Sequence, residues 1–247
     1  MGENNIILKL DNICFGYPGA GRNVLDHLNF SIHAGEKVGL IGPNGSGKST
    51  LLHIVMGLLW PDSGHVEFLG QRPETEKDFR LIRRQVGLVF QNADDQLFSP
   101  TVLEDVAFGP LNMGKSPEQA REMSLRILNE LNLGGFENRI THKLSGGEKK
   151  LVALATVLVM EPKVLFLDEP STGLDESTRE HIIEILNRLD ITFVMVSHEY
   201  DYLARTTRTI YTLNNGKVEY CCNSEDLHTH YHSHPAGRMP HGHDNNR

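Results

Sequence analysis

The apolar positions of the chain change period several times, and each change predicts an element. Ile6 to Phe15 alternates loosely between apolar and polar, as a strand does with one face turned inward. The stretch FGYPGAG then breaks it with glycines and a proline. Val24 to His33 alternates again and ends at Ala34-Gly35, so the chain opens as an antiparallel pair. Glu36 to Ile41 carries a short apolar run bounded by Gly35 and Gly42, the pattern of a buried strand. After Ser49 the period becomes helical, with Leu51, Leu52, Val55, Leu58 and Leu59 on one face.

Beyond the turn WPDSG, a short strand, HVEFLG, precedes a charged helical stretch from Lys77 to Gln85 and a buried strand, Val86 to Phe90. A polar, irregular segment follows. Thr101 to Phe108 predicts a short helix, with Thr101 as cap and Glu104 three residues on. Ser116-Pro117 opens another, which presents Ile127, Leu128 and Leu131 and is stopped by Gly134-Gly135. A helix starting at Ser145-Gly146-Gly147 turns Leu151, Leu154, Ala155, Leu158 and Val159 inward and ends before Pro162. Lys163 to Leu167 and Ile191 to Val196 read as strands, with an amphipathic helix, Glu176 to Leu189, between them. A short helix and two strands around Asn215-Gly216 complete the pattern. Apolar strands alternating with helices predict an α/β fold, a parallel sheet wrapped by helices.

Composition narrows the class. The 247 residues suit one large domain or two small ones, and 39% hydrophobic against 23% charged residues leaves a core available. A net charge of −8 argues against a grip on nucleic acid or on an anionic lipid surface. No apolar run approaches the roughly 18 residues of a membrane span. The opening MGENNIILKL lacks the basic and long apolar segments of a secretory signal. Cys14, Cys221 and Cys222 give no disulfide framework and fit a reducing cytosol. The expected organisation is one domain over residues 1–227, with a helical subdomain inserted at about 96–160, and a His-rich tail over 228–247 expected to be disordered.

Residues Gly42 to Ser49, GPNGSGKS, fit the phosphate-binding pattern G-x-x-x-x-G-K-[ST], between a predicted strand and a predicted helix. Gly42, Pro43, Asn44, Gly45, Ser46, Gly47, Lys48, Ser49 and Thr50 are therefore the candidate nucleotide-binding residues. Gly45 and Gly47 lack a Cβ, so the loop can turn its N–H groups inward with φ > 0. The helix that follows points its N-terminal donors and dipole at the phosphates. Lys48 supplies a compact cation for the β and γ oxygens, and Ser49 a hydroxyl for Mg²⁺. Hydrolysis needs carboxylates as well, and VLFLDE ends a predicted strand with two of them. Asp168 suits the Mg²⁺ shell, and Glu169 suits a general base on the attacking water. The plainer alternative is an acidic pair at a strand end that makes salt bridges.

With these motifs in place, the chain from Leu8 to about Leu227 resembles an ABC-type ATPase. LSGGE, Leu144 to Glu148, resembles the family signature, in which Gln usually stands where Glu148 does. The resemblance implies a P-loop NTPase fold with a RecA-like core, an antiparallel β subdomain and an inserted α-helical subdomain. It implies a head-to-tail homodimer, in which Ser145, Gly146, Gly147 and Glu148 of one chain complete the phosphate site of the other. It also implies that Tyr17 stacks on adenine and that Gln91 links Mg²⁺ and water to a membrane partner. Ser171 to Asp175 would form the loop crossing between chains, and His198 would contact the γ-phosphate. Taken alone, Tyr17 is an ordinary hairpin residue and a histidine after a strand is usually structural.

Gln91 to Asn112 further resembles the energy-coupling-factor ATPases, which drive uptake of vitamins and of cobalt or nickel, and cobalt or nickel is the expected cargo. That implies two membrane partners, a transmembrane coupling protein and a substrate-binding protein, and a peripheral place on the cytoplasmic face of the cell membrane. Asp94 and Asp95 are candidate docking carboxylates for arginines of the coupling protein. His228, His230, His232 and His234 alternate along the tail, with His241 and His243 beyond, and imidazoles suit Ni²⁺ or Co²⁺. The rival readings are the ATPase of another importer or of a soluble assembly complex, and a nucleotide-gated metal-binding scaffold.

Overall fold

The computed structural model describes residues 5–227, so the tail histidines from His228 onward lie outside the described residues. In chain order the strands are β1 (Ile6–Phe15), β2 (Leu25–His33), β3 (Lys37–Ile41), β4 (Ser63–Phe68), β5 (Val86–Val89), β6 (Val164–Asp168), β7 (Thr192–Val196), β8 (Thr209–Asn214) and β9 (Lys217–Asn223). The α-helices are α1 (Lys48–Val55), α2 (Glu76–Ile82), α3 (Val102–Asn112), α4 (Pro117–Glu130), α5 (Gly146–Leu158), α6 (Glu176–Arg188) and α7 (Tyr200–Thr206). They fall into two compact units. The first comprises the chain up to Phe79 and again from Thr192; the second is Arg80–Ile191.

In the first unit β1 pairs antiparallel with β2 on one side and β4 on the other. Leu25, Leu28, Phe30 and Ile32 of β2 are buried, the alternation of a strand with one wet face. The looser alternation of β1 has a cause: its pairing with β2 shifts register between Leu10 and Ile13 and again before Phe15. The second sheet of this unit runs β3 parallel to β7 and β8, and β9 antiparallel on β8. Val38, Leu40 and Ile41 of β3 are all buried, as a strand between two parallel neighbours requires.

The helix after the glycine loop is shorter than its apolar pattern. α1 stops at Val55, and Leu58 is 52% exposed rather than part of its inner face. Gly57 takes φ 65°, its N–H bonds Ile54 O at 3.0 Å, and Leu58 N–H bonds His53 O at 2.8 Å. This paired closure ends the helix while satisfying two of its last carbonyls.

In the second unit β5 and β6 run parallel, with Val86 opposite Val164 and Val89 opposite Leu167. α3, α4 and α5 pack on one another around Val102, Val106, Leu128 and Leu154. Each begins in a reciprocal cap: Thr101 with Glu104, Ser116 with Gln119, Ser145 with Glu148. Such a cap residue is worth about 1 kcal/mol against alanine. α3 also runs past Phe108, the expected end, through Pro110 to Asn112. The fold is mixed α/β, with an antiparallel sheet and a helical subdomain.

Candidate functional site

The first unit carries the phosphate loop. β3 ends at Ile41, and α1 begins at Lys48 behind Gly47. Gly47 takes φ 106°, and α1 has neither a side-chain cap nor an acid in its first turn. The positive end of the helix is thus left for an anion rather than closed by the chain itself. Gly47 is required twice over: a Cβ there would meet Val24 Cγ1 at 2.8 Å and Leu25 Cδ2 at 2.9 Å. Lys48 is 8% exposed and arches back over the loop, its Nζ donating to Gly42 O at 2.8 Å and Pro43 O at 3.1 Å. Pro43, Asn44, Gly45 and Ser49 are exposed, Ser46 is half-buried and Thr50 is buried. Tyr17 Oη lies 3.0 Å from Thr50 Oγ1, and the ring, 46% exposed, stands edge-on to Phe15. That hydrogen bond holds an aromatic face beside the loop's helix. His198 follows β7 in this same unit and is exposed.

The second unit carries the carboxylates. β6 delivers a half-buried Asp168 and then Glu169, which is 7% exposed. Glu169 takes φ 47°, a left-handed conformation that costs about 1 kcal/mol or more for an ordinary residue. Lys150 Nζ donates to the Glu169 carbonyl oxygen at 2.9 Å and so grips the strained peptide. Ser171 is buried, and Asp175 caps α6 by accepting from Thr178 N at 3.0 Å and Thr178 Oγ1 at 2.9 Å. Those bonds, the backbone N–H foremost, hold the Asp175 carboxyl below the usual range.

The signature lies at the tip of α5. Ser145 N donates to Glu148 Oε2 at 2.8 Å, and Glu148 N donates to Ser145 Oγ at 3.3 Å. Arg139 Nη1 donates to Glu148 Oε1 at 2.8 Å. The Glu148 carboxyl is held below its usual range, first by the Ser145 N–H and to a smaller extent by Arg139. A Cβ on Gly146 would meet nothing, whereas one on Gly147 would strike Thr178 at 2.9 Å. A cavity of about 260 Å³ brings Gln91, Asp94 and Gly146 together with Lys149, Lys150 and Thr172. Asp94 accepts from Lys149 Nζ at 2.6 Å, while Asp95 is exposed beside it.

Tyr17, the phosphate loop and His198 thus belong to the first unit; Gln91, Asp168, Glu169, the signature, Ser171 and Asp175 belong to the second. Arg139, Lys149 and Lys150 were not legible as site residues. Lys149 and Lys150 adjoin the signature, a local signal of sorts, but nothing in the spacing marks Arg139. The donors Ser49, Gln91 and Asp168 all offer oxygen, the ligand type that Mg²⁺ takes, and the uncapped loop fits polyphosphate.

The ABC transporter family matches residues 25–172. A provisionally named ABC transporter ATP-binding protein of Nitratidesulfovibrio vulgaris is 52% identical over 97% of this chain and 87% of its own. The energy-coupling factor transporter ATP-binding protein EcfA of Methanothermobacter thermautotrophicus is 44% identical over 86% of this chain and 69% of its own. Among solved structures, cbiO1 from Clostridium perfringens, part of the ABC transporter complex cbiONQ, superposes with TM-score 0.77 at 35% identity, covering 87% of each chain. A dimeric ATP-binding cassette in a post-hydrolysis state with ADP and phosphate gives TM-score 0.79 at 31% identity, covering 86% of this chain and 96% of its own. No helix among the described residues is long and apolar enough to cross a membrane. This chain thus belongs to the ABC transporter family, as an ATP-binding, ATP-hydrolysing protein.

Proposed function

We propose that the chain is the ATPase subunit of an energy-coupling-factor importer, working as a homodimer at the cytoplasmic face of the membrane. The observation that carries this reading is the 44% identity, over most of the chain, with an ATP-binding protein of that transporter type. In it, Lys48 and the N–H groups behind Gly47 hold the phosphates, and Tyr17 stacks on adenine. Mg²⁺ bound with ATP would neutralise phosphate charge. Glu169 takes the proton of the attacking water, and His198 contacts the γ-phosphate. The signature of a second chain, Ser145 to Gly147, completes the site, so ATP closes the pair and hydrolysis reopens it.

The coupling protein docks on the second unit. A groove of about 460 Å³ there is lined by Leu103, Ala107, Phe108, Leu111, Pro117 and Ala120, with Glu104 at its rim. Phe98, 67% exposed, stands edge-on to Phe108 beside it. An apolar floor with an acidic rim suits an arginine-bearing helix. Asp94 and Asp95 lie on the same Gln91 to Asn112 segment. Since Lys149 already holds Asp94, Asp95 is the better placed of the two to meet a cation.

Cobalt or nickel is the cargo this reading favours, supported by the alternating tail histidines and by the resemblance to the cobalt and nickel import ATPases. The test is affinity purification from membranes, followed by ATP-driven uptake of Co²⁺ or Ni²⁺ by the recovered complex. Reversing Asp94 and Asp95 to lysine should abolish uptake while ATP hydrolysis by the purified chain persists. Unchanged uptake removes the docking claim, and a chain that recovers no membrane partner removes the importer.

A further inference from the structure

Among the described residues, one group of side chains has the composition of a transition-metal site, and neither the nucleotide chemistry nor the docking groove uses it. The Cys14 sulfur, an Asp26 carboxylate oxygen and a ring nitrogen of His27 lie within 4.8 Å of one another. All three belong to the end of the β1–β2 pair. We infer that Cys14, Asp26 and His27 form a site for a borderline-soft divalent cation of the zinc and cobalt class.

Three features of the local structure support it. The first is the donor set: one thiolate, one imidazole and one carboxylate match the S, N and O ligands that Zn²⁺ and Co²⁺ accept. Three protein ligands leave a fourth position for water. The second is support around the ligands. The His27 backbone N–H donates to Cys14 Sγ at 3.3 Å, which orients the sulfur toward His27. His27 Nδ1 lies 2.8 Å from Asn12 Oδ1, which fixes the rotation of the ring. Asn23 Nδ2 reaches Asp26 Oδ1 at 3.3 Å. The third is the backbone. Asn12 takes φ 55° and His27 takes φ 50°, and both stand at the register shifts between β1 and β2. Bulges of this kind re-aim side chains at the cost of regular pairing. Here they bring side chains of two strands to one point.

The burial is graded as a site's would be: Cys14 is buried, Asp26 is half-buried and His27 is exposed. A cation can therefore arrive from solvent through His27 and meet the sulfur inside. Tyr17 lies three residues beyond Cys14, and Val24 and Leu25, which brace Gly47, directly precede Asp26. The site thus lies along the strand ends that carry the nucleotide side of this unit. It stands independently of the importer reading, because its test needs no membrane partner.

The experiment titrates the full-length protein with Co²⁺ and follows the thiolate-to-cobalt charge-transfer absorption. The tail holds no cysteine, so metal bound by its histidines gives no such band. One equivalent of Co²⁺ should raise the band in the wild-type protein and in a Cys221→Ser, Cys222→Ser double variant, and Zn²⁺ should displace it. Cys14→Ser should abolish the band. His27→Ala alters an exposed side chain and should retain the fold, yet it should weaken Co²⁺ binding about tenfold or more, as should Asp26→Asn. No band in the wild-type protein overturns the proposal. So does a band that survives Cys14→Ser or an affinity that His27→Ala leaves unchanged.

Discussion

Helices α1 and α5 both begin at glycine-rich tips, but they settle their first-turn N–H groups in opposite ways. α1 starts behind Gly47 with no side-chain cap and no acid, and its lysine folds onto loop carbonyls. α5 starts behind Ser145 with a closed reciprocal cap, and Arg139 balances the charge of the acid that closes it. The difference matches when each tip would meet its phosphate. A tip built to hold nucleotide within its own chain can stay open, because the ligand supplies the acceptors. A tip that reaches phosphate only when a second chain closes must be stable alone. Gly146 and Gly147, the first two residues of α5, are poor helix formers, and the cap offsets part of that.

Four variants break or sharpen this contrast. Glu169→Gln leaves both tips intact and should have the largest effect. Turnover should fall about a hundredfold or more, because positioned general bases contribute that much, while ATP binding is kept. Phosphate release and size-exclusion with ATP would show a stalled dimer, and normal turnover would remove Glu169 from the base role.

Next, Lys48→Ala at the open tip should weaken ATP binding about 10- to 100-fold, the worth of one charge-assisted hydrogen bond. Ser145→Ala at the closed tip should leave binding by the isolated chain unchanged and lower its stability by about 1 kcal/mol. Equal losses of ATP affinity, measured by calorimetry, would erase the distinction between the tips.

The smallest effect concerns Glu148→Gln, which keeps an acceptor for the Ser145 N–H and removes the charge. The folded carboxyl has a depressed pKa. Its stabilisation is therefore present above the ordinary carboxylate pKa and is lost as pH falls through the depressed value. The melting temperatures of wild type and variant should differ slightly near neutral pH and converge in acid. A gap that widens in acid would contradict the Ser145–Glu148 bond.

Much of the site was legible because its chemistry is local in the chain. The glycine loop, the strand ending in Asp168-Glu169 and the Thr101–Glu104 cap each lie within a few residues. Hidden features depend on contacts distant in sequence or on backbone detail. The apolar pattern from Leu51 to Leu59 continues past Val55, but the left-handed Gly57 ends the helix first. The register shifts that bend β1 cannot be seen in its alternation, which is merely blurred by them. Arg139 meets Glu148 only because the chain turns back between them, and Lys150 reaches Glu169 across 19 residues. None of these pairings follows from a period.

The hydrogen bond from Lys150 to the Glu169 carbonyl has one more consequence. The Lys150 side chain fastens α5 to the peptide that carries the acid. Any tug on one end is delivered to the other along a tether one lysine long. A shift of α5 would thus reach the backbone of Glu169 without passing through any intervening side chain.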